Sequence, residues 1–318
     1  MNSQTDKDPF SDLKNPRIMV MGAGAVGGFY GAKLSTRFDT TFIARGAHLK
    51  AMKDNGIQIK SVDGDFTELP NCVENPAELS EKPDLILFTV KSFDTDEAIE
   101  KIKSAVGEET IILTIQNGIE NSEKLNKAFG AQKVIPGLCQ IGAMITEPGV
   151  VEHSALGRMV IGCTDENSNE AALNRIHLWM NSVGIDVKLS KNIQYDIWSK
   201  FAWNATFNMI TGLLAVTTDY VSESKSGHEL IKRLFQEIQL AAEKRDGVKL
   251  KTEDVDEMLI KSSGLGAFKT STYQDRIKEK PMEYDAFTGA LLRIAHKQDL
   301  DFPVIKTMHQ LFDVLEKK

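Results

Sequence analysis

Three polar side chains recur at four-residue intervals through an otherwise apolar segment, Ile197-Trp198-Ser199-Lys200-Phe201-Ala202-Trp203-Asn204-Ala205-Thr206-Phe207-Asn208-Met209-Ile210. On a helix this spacing lines Lys200, Asn204 and Asn208 along one stripe. Trp198, Phe201, Trp203, Phe207 and Met209 make most other directions apolar, so the segment predicts a buried helix whose ammonium must meet a partner or a ligand cavity. The plainer alternative is a surface lysine with two asparagines bonding neighbouring loops. In the first case the chemistry open to Lys200 is that of ketone reduction. Hydride arriving at carbon throws negative charge onto oxygen, and an ammonium in reach stabilises that charge and supplies the proton.

A carboxylate is the natural companion of such a lysine. Lys280-Pro281-Met282-Glu283-Tyr284-Asp285 begins a helical segment with two acids, Glu283 and Asp285, which spacing does not rank. Either could equally be a first-turn acid favoured by the helix dipole. Ser271 and Thr272, just upstream, could donate to a substrate carboxylate or cap a helix.

A second constellation supplies the partner for reduction. The apolar run Ile18-Met19-Val20-Met21 breaks into Gly22-Ala23-Gly24-Ala25-Val26-Gly27, a G-x-G-x-x-G turn followed by a helix-compatible stretch from Val26 to Leu34. In such a turn the first glycine takes angles a side chain would forbid. The second lets a pyrophosphate approach the main chain, and the third lets helix and strand pack closely. About twenty residues on, where a ribose-binding acid is usual, the strand Thr40-Thr41-Phe42-Ile43-Ala44 ends in Arg45. A guanidinium grips phosphate with parallel hydrogen bonds, so NADP(H) is favoured over NAD. Two more positions fall at strand carboxyl ends, where a doubly wound sheet binds its ligand: Lys91 after Thr89-Val90, and Asn117 in Ile115-Gln116-Asn117-Gly118. Alone, the first reads as a solvated lysine and the second as a tight turn.

The elements that must hold these residues follow from patterning. From Arg17 to about Val187 short β-rich runs (18–21, 41–44, 85–90, 111–115, 134–138) alternate with helical spacing over 95–105 and 120–129, with Asn121 or Ser122 as a cap. This predicts a parallel sheet covered by helices. Residues 149–153 and 158–162 read as an antiparallel pair started by the turn Glu147-Pro148-Gly149, and 185–189 as the last strand. Beyond Ile193 the segments 197–214, 229–245, 253–261 and 284–296 carry the 3.6-residue period, predicting a helical domain. The expected divisions are a disordered leader over 1–16, a dinucleotide-binding domain over 17–190 and a helical substrate domain over 191–318.

With 318 residues, 42% hydrophobic and 26% charged, the chain can bury two cores. A net charge of −7, with no basic cluster interleaved with aromatics, argues against nucleic acid. Cys72, Cys139 and Cys163 lack metal-ligand spacing and read as reduced thiols, so no metal is expected. A polar leader without a signal-peptide core, and no membrane-length apolar run, predict a cytoplasmic protein.

Together, Met21-Gly22-Ala23-Gly24-Ala25-Val26-Gly27, the Val90-Lys91 strand end, Gln116-Asn117-Gly118, Thr146-Glu147-Pro148-Gly149, Trp198-x-Lys200-x-x-x-Asn204-x-x-x-Asn208 and Lys280-Pro281-x-Glu283-x-Asp285 resemble the ketopantoate reductases (2-dehydropantoate 2-reductases) from Arg17 to the last helix. The resemblance implies an N-terminal Rossmann-type domain, an all-helical C-terminal domain and an active site in the cleft. It also implies NADPH-dependent reduction of 2-dehydropantoate to (R)-pantoate for coenzyme A synthesis, by a monomer or homodimer. Carried over position by position, Lys200 takes the proton donor's place and Glu283 that of the carboxylate near substrate hydroxyl and cofactor. Asn204, Asn208 and Ser271 become substrate contacts, and Asn117 touches both ligands. Arg45 and Lys91 lie near the cofactor phosphates or ribose, and Ala143 beside the nicotinamide.

The chain departs from the family pattern at Thr270-Ser271-Thr272-Tyr273-Gln274-Asp275, Met282, Tyr284, Thr288, Phe268 and Thr218. These departures leave the choice among 2-keto acids open, and Met282, Tyr284, Thr288 and Phe268 could each reshape the pocket around a different substrate tail. Rival readings are another member of the wider 6-phosphogluconate-dehydrogenase-like group, acting on a different keto or hydroxy acid, and a non-catalytic NADP(H)-binding regulatory protein.

Overall fold

Alternate residues of the first strand drop into two different cores, Ile18 and Val20 on one side, Met19 and Met21 on the other. A strand covered on both faces must be apolar throughout, which is why the run Ile18–Met21 shows no polar alternation. Each fully buried side chain of this kind contributes roughly 1.5–3 kcal/mol. The computed structural model describes residues 15–164 and 169–316. Residues 1–14 of the expected leader lie outside the described residues.

The strands are β1 (Arg17–Met21), β2 (Asp39–Ile43), β3 (Ile57–Ser61), β4 (Phe66–Glu68), β5 (Asn71–Val73), β6 (Leu85–Phe88), β7 (Ile111–Thr114), β8 (Val134–Glu147), β9 (Val150–Ile161) and β10 (Val187–Leu189). They order as β4-β3-β9-β8-β7-β6-β1-β2-β5, with β10 on β9. From β5 through β8 every pairing is parallel. The chain steps outward from β1 to β2 and β5 on one side and to β6 and β7 on the other. The strand order therefore reverses at β1, the position where such sheets bind ligands at their carboxyl ends. Helices α1 (Ala25–Ser35), α2 (Gly46–Asn55), α3 (Thr95–Ile102), α4 (Asn121–Phe129) and α5 (Glu170–Ser182) accompany the sheet.

The expected antiparallel pair over 149–153 and 158–162 is instead one strand. Gly149, at φ +81°, reverses the chain before it, and β9 then runs antiparallel along β8. Nothing between His153 and Arg158 turns the chain back. Leu156 and Gly157, at φ 64° and 114°, only shift the register, Gln140 facing Arg158 and Ile141 facing Leu156. Strands β3, β4 and β5 were not read from the sequence.

The rest is helical: α6 (Ile193–Trp203), α7 (Met209–Leu214), α8 (Thr218–Ser222), α9 (Lys225–Asp246), α10 (Thr252–Ser263), α11 (Ser271–Ile277), α12 (Thr288–Gln298) and α13 (Pro303–Glu316). By their contacts, residues up to Gln116 and Asn121–Ile193 form one unit, and Gln194–Lys318 form the other together with the four-residue stretch Asn117–Glu120. The second unit has its own core, which includes Trp198, Phe201, Phe235, Ile238, Leu291 and Phe312.

The three glycines of the first turn answer to different constraints. Gly22 sits at φ +101°, and a Cβ there would lie 2.8 Å from Val90 N. At Gly27 it would collide with Gly22 O and Thr89 Oγ1, whereas at Gly24 it would meet nothing within 4 Å. Gly27→Ala should therefore cost about 1–3 kcal/mol of stability. Gly24→Ala should stay within about 0.5 kcal/mol of the unmodified protein. Denaturant melts of the two variants check this, and equal losses would contradict it.

Candidate active site

The Lys200 stripe is carried by a helix that changes its winding. After α6 the segment Asn204–Asn208 is π-helical, and α7 follows. In an α-helix each four-residue step overshoots a full turn by about 40°, so three residues at that spacing drift round the axis. A π turn, closed by i→i+5 bonds, holds more than four residues, and its four-residue step falls short of a full turn. The π turn thus counters the drift between Asn204 and Asn208. Trp198, Phe201, Ala205, Phe207, Met209 and Ile210 are buried around the stripe, and the indole N–H groups are satisfied by Asp246 Oδ2 at 2.7 Å for Trp198 and Ser262 Oγ at 2.9 Å for Trp203.

Lys200 is half-buried, and its Nζ donates to Asn117 Oδ1 at 2.9 Å. Asn204, 4% exposed, donates to the same oxygen at 3.3 Å. One amide oxygen thus gathers the ammonium and the first asparagine of the stripe. The stretch that presents it is short and firmly held. Gly118 turns it at φ +99°, the Ile119 side chain is buried in the helical core, and Ile119 O accepts from Arg245 Nη1 at 3.0 Å.

Asn208, 2% exposed, donates to Ser271 Oγ at 3.2 Å, while its own Oδ1 is buried without a hydrogen-bond partner. An orphaned acceptor costs roughly 1–3 kcal/mol, a cost that a donor on a ligand or an ordered water would remove. Ser271 is exposed in the first turn of α11. The cap is neither Ser271 nor Thr272 but Thr270, whose Oγ1 accepts from Tyr273 N at 3.2 Å.

The two acids that spacing could not rank have different surroundings. Glu283 is buried at the start of the 3₁₀ turn Tyr284–Ala286. Asp285 is exposed and accepts two bonds from Arg293 Nη1, at 3.0 and 3.1 Å. Two departures from the family pattern in this segment, Tyr284 and Thr288, turn side-chain polar atoms to α13, and the backbone of a third, Met282, bonds the same helix. Met282 N donates to Glu316 Oε1 at 3.2 Å, Tyr284 Oη to Asp313 Oδ1 at 2.9 Å, and Thr288 Oγ1 lies 2.9 Å from His309 Nδ1. Burial and the Asp313 carboxylate push the Tyr284 hydroxyl up to about 12, so it remains a donor. Thr218 is likewise occupied, donating to Gly266 O at 2.8 Å. Phe268 packs edge-on to Trp203 at 6.4 Å, beside the stacked Trp203–Phe207 pair.

In the sheet unit, the glycine turn, Arg45 and Lys91 stand at the carboxyl ends of β1, β2 and β6, and Ala143 lies on β8 opposite His153. Thr89 Oγ1 fastens the turn by donating to Gly22 O at 2.9 Å. Gly22 and Gly27 have steric reasons inside the protein. Gly24 has none, and the open space over it at the N-terminus of α1 is what a pyrophosphate approaching main-chain N–H groups needs. No carboxylate closes β2. The Arg45 side chain is 74% exposed, with Asp94 Oδ2 3.6 Å from Nη2, a solvated pair that a phosphate can readily replace. The donor set fits a phosphorylated dinucleotide. Among the described residues, no group of three or more His, Cys, Asp or Glu could hold a metal ion, and no helix is long and apolar enough to cross a membrane.

The family model described as "Ketopantoate reductase PanE/ApbA" matches residues 18–166, and its C-terminal counterpart matches residues 192–316. The chain belongs to the ketopantoate reductase family. It is 28% identical over 290 residues to a 2-dehydropantoate 2-reductase of Pyrococcus horikoshii, covering 91% of this chain and 93% of that one. The 2-dehydropantoate 2-reductase structure from Geobacter metallireducens superposes with a TM-score of 0.88 at 28% identity, over 94% and 99% of the two chains. A D-mandelate dehydrogenase solved with NADH and anilino(oxo)acetate gives a TM-score of 0.85 over 95% and 98%; at 23% identity that likeness is one of fold. The protein is thus an oxidoreductase of the ketopantoate reductase family.

Sequence reasoning about this family member missed Arg293, Glu120, Arg245 and Thr89. Arg293 and Glu120 meet across 173 positions, and no local spacing signals such a pair. The orphaned oxygen carries a measurable consequence. Asn208→Leu, which removes it, should leave stability unchanged or raise it by up to about 1 kcal/mol despite losing the Ser271 bond. A loss above about 2 kcal/mol in denaturant melts would show that Asn208 Oδ1 is already satisfied.

Proposed function

We propose that this protein is an NADP(H)-dependent 2-keto acid reductase that converts 2-dehydropantoate to (R)-pantoate, the reduction that feeds coenzyme A synthesis, acting in the cytoplasm as a monomer or homodimer. The observation that carries the reading is the Lys200 ammonium held 2.9 Å from Asn117 Oδ1 on a stripe with two buried asparagines.

The bound NADPH would supply the hydride taken up by the keto carbon. Lys200 gives the proton to the keto oxygen, the ammonium being held by Asn117 and hence able to act on charge as it develops. Asn204 and Asn208 orient the substrate, the orphaned Asn208 Oδ1 accepting from a substrate donor, and Ser271 meets the carboxylate. Glu283 bonds the substrate hydroxyl. Backbone N–H groups of Gly22, Ala23, Gly24, Ala25, Val26 and Gly27 receive the pyrophosphate, Arg45 and Lys91 the phosphate and ribose, and Ala143 flanks the nicotinamide. Phe268 against Trp203 favours a second reading, a 2-keto acid with an apolar or aromatic tail.

Turnover of a 2-keto acid panel with NADPH separates the two. The first reading expects 2-dehydropantoate to exceed 2-ketoisovalerate, pyruvate and oxaloacetate in kcat/KM. A site that pairs the substrate hydroxyl can discriminate by up to about 10⁴. Preference for 2-ketoisovalerate or an aryl keto acid would remove the protein from pantoate synthesis. NADPH should be preferred to NADH, and Arg45→Ala should remove most of that preference, a charge-assisted bond contributing roughly 1.5–3 kcal/mol. Equal use of both cofactors by the unmodified protein would contradict the role given to Arg45.

A further inference from the structure

Arg293, on α12, is none of the residues given a chemical role, yet its guanidinium joins two segments that have one. Its Nε and Nη2 donate to the two carboxylate oxygens of Glu120, at 3.0 and 2.7 Å. Its Nη1 donates to both oxygens of Asp285, at 3.0 and 3.1 Å, and Nη2 also reaches Asp285 O at 3.2 Å. Glu120 closes the short stretch that opens with Asn117, and Asp285 stands two residues after Glu283. A lone exposed ion pair fixes little, but a planar fork bonded in parallel to Glu120, with its remaining nitrogen Nη1 shared between the two oxygens of Asp285, sets distance and orientation together. Room for this fork depends on Gly289, where a Cβ would collide with Asp285 Oδ1.

We infer that Arg293, through Glu120 and Asp285, is a positioning residue that fixes Asn117, and with it the Lys200 ammonium, relative to Glu283. The inference rests on the reductase reading above. Its physical content is that the proton donor's acceptor and the acid share one rigid tie, so loosening the tie misplaces both without touching either. A lysine at 293 would keep the charge and lose the fork.

Arg293→Met and Arg293→Lys are compared with the unmodified protein by amide hydrogen exchange and by steady-state kinetics. Faster exchange in residues 117–120 and 283–287 is expected, with protection in the sheet unit unchanged. A fall in kcat approaching about 10² for Arg293→Met is expected, since small misplacements far from the chemistry can cost that much. KM for NADPH should move little, and Arg293→Lys should recover part of the loss. Adding Glu120→Gln to Arg293→Met should cost little more, because the two act through one contact. Unchanged exchange, unchanged kcat, or losses that simply add would overturn the inference. If Arg293→Met does not fold, the same readings on Arg293→Lys decide it. If the unmodified protein reduces no 2-keto acid, the functional reading fails, and exchange alone then upholds or overturns the tie.

Discussion

The hydrogen bond from Lys200 Nζ to Asn117 Oδ1 is the contact on which the rest of the site depends. A half-buried ammonium is costly unless an oxygen meets it. The protein supplies that oxygen from a stretch that leaves β7 and is then held by helices: Ile119 in the helical core, its carbonyl on Arg245, Glu120 on Arg293. Once Asn117 is fixed, the direction of the lysine follows. Asn204 is drawn to the same oxygen, and the π turn continues the stripe to Asn208 and Ser271.

Several features of this region lower stability, and the proposed reductase role gives them a use. A π turn in a buried helix gives up regular hydrogen bonding, and Asn208 Oδ1 has no partner at all. Their surroundings are correspondingly firm: Trp198 and Trp203 have satisfied N–H groups, and Tyr284 stacks on Phe312 at 5.1 Å while bonding Asp313. Rigid packing around a few poorly satisfied polar atoms is how a site is held ready for a group that will satisfy them.

What the sequence revealed was what depends on near neighbours. The glycine turn is legible because its steric demands arise within a strand, a turn and the next helix, and the lysine stripe because four-residue spacing is a property of helices. The π turn hides in the same spacing, since over five residues the apolar pattern does not distinguish the two windings. Strands β3, β4 and β5 are short and partly exposed, so they lack the continuous apolar run that made the equally short β6 and β7 legible. Glu283 and Asp285 were inseparable until Arg293 was seen to occupy one of them. That Tyr284 and Thr288 bond α13 was not legible, because their partners Asp313 and His309 lie 29 and 21 positions away.

Single-turnover reduction of 2-dehydropantoate by Lys200→Ala loaded with NADPH tests the central claim most directly, followed as loss of the reduced nicotinamide's absorbance beside an equilibrium measurement of NADPH affinity. The account predicts that affinity stays within a few-fold while the reduction step slows by about 10²–10⁴, the loss of a proton donor that acts on charge present only in the transition state. Reduction within a few-fold of the unmodified rate would show that Lys200 is a structural partner of Asn117 and nothing more.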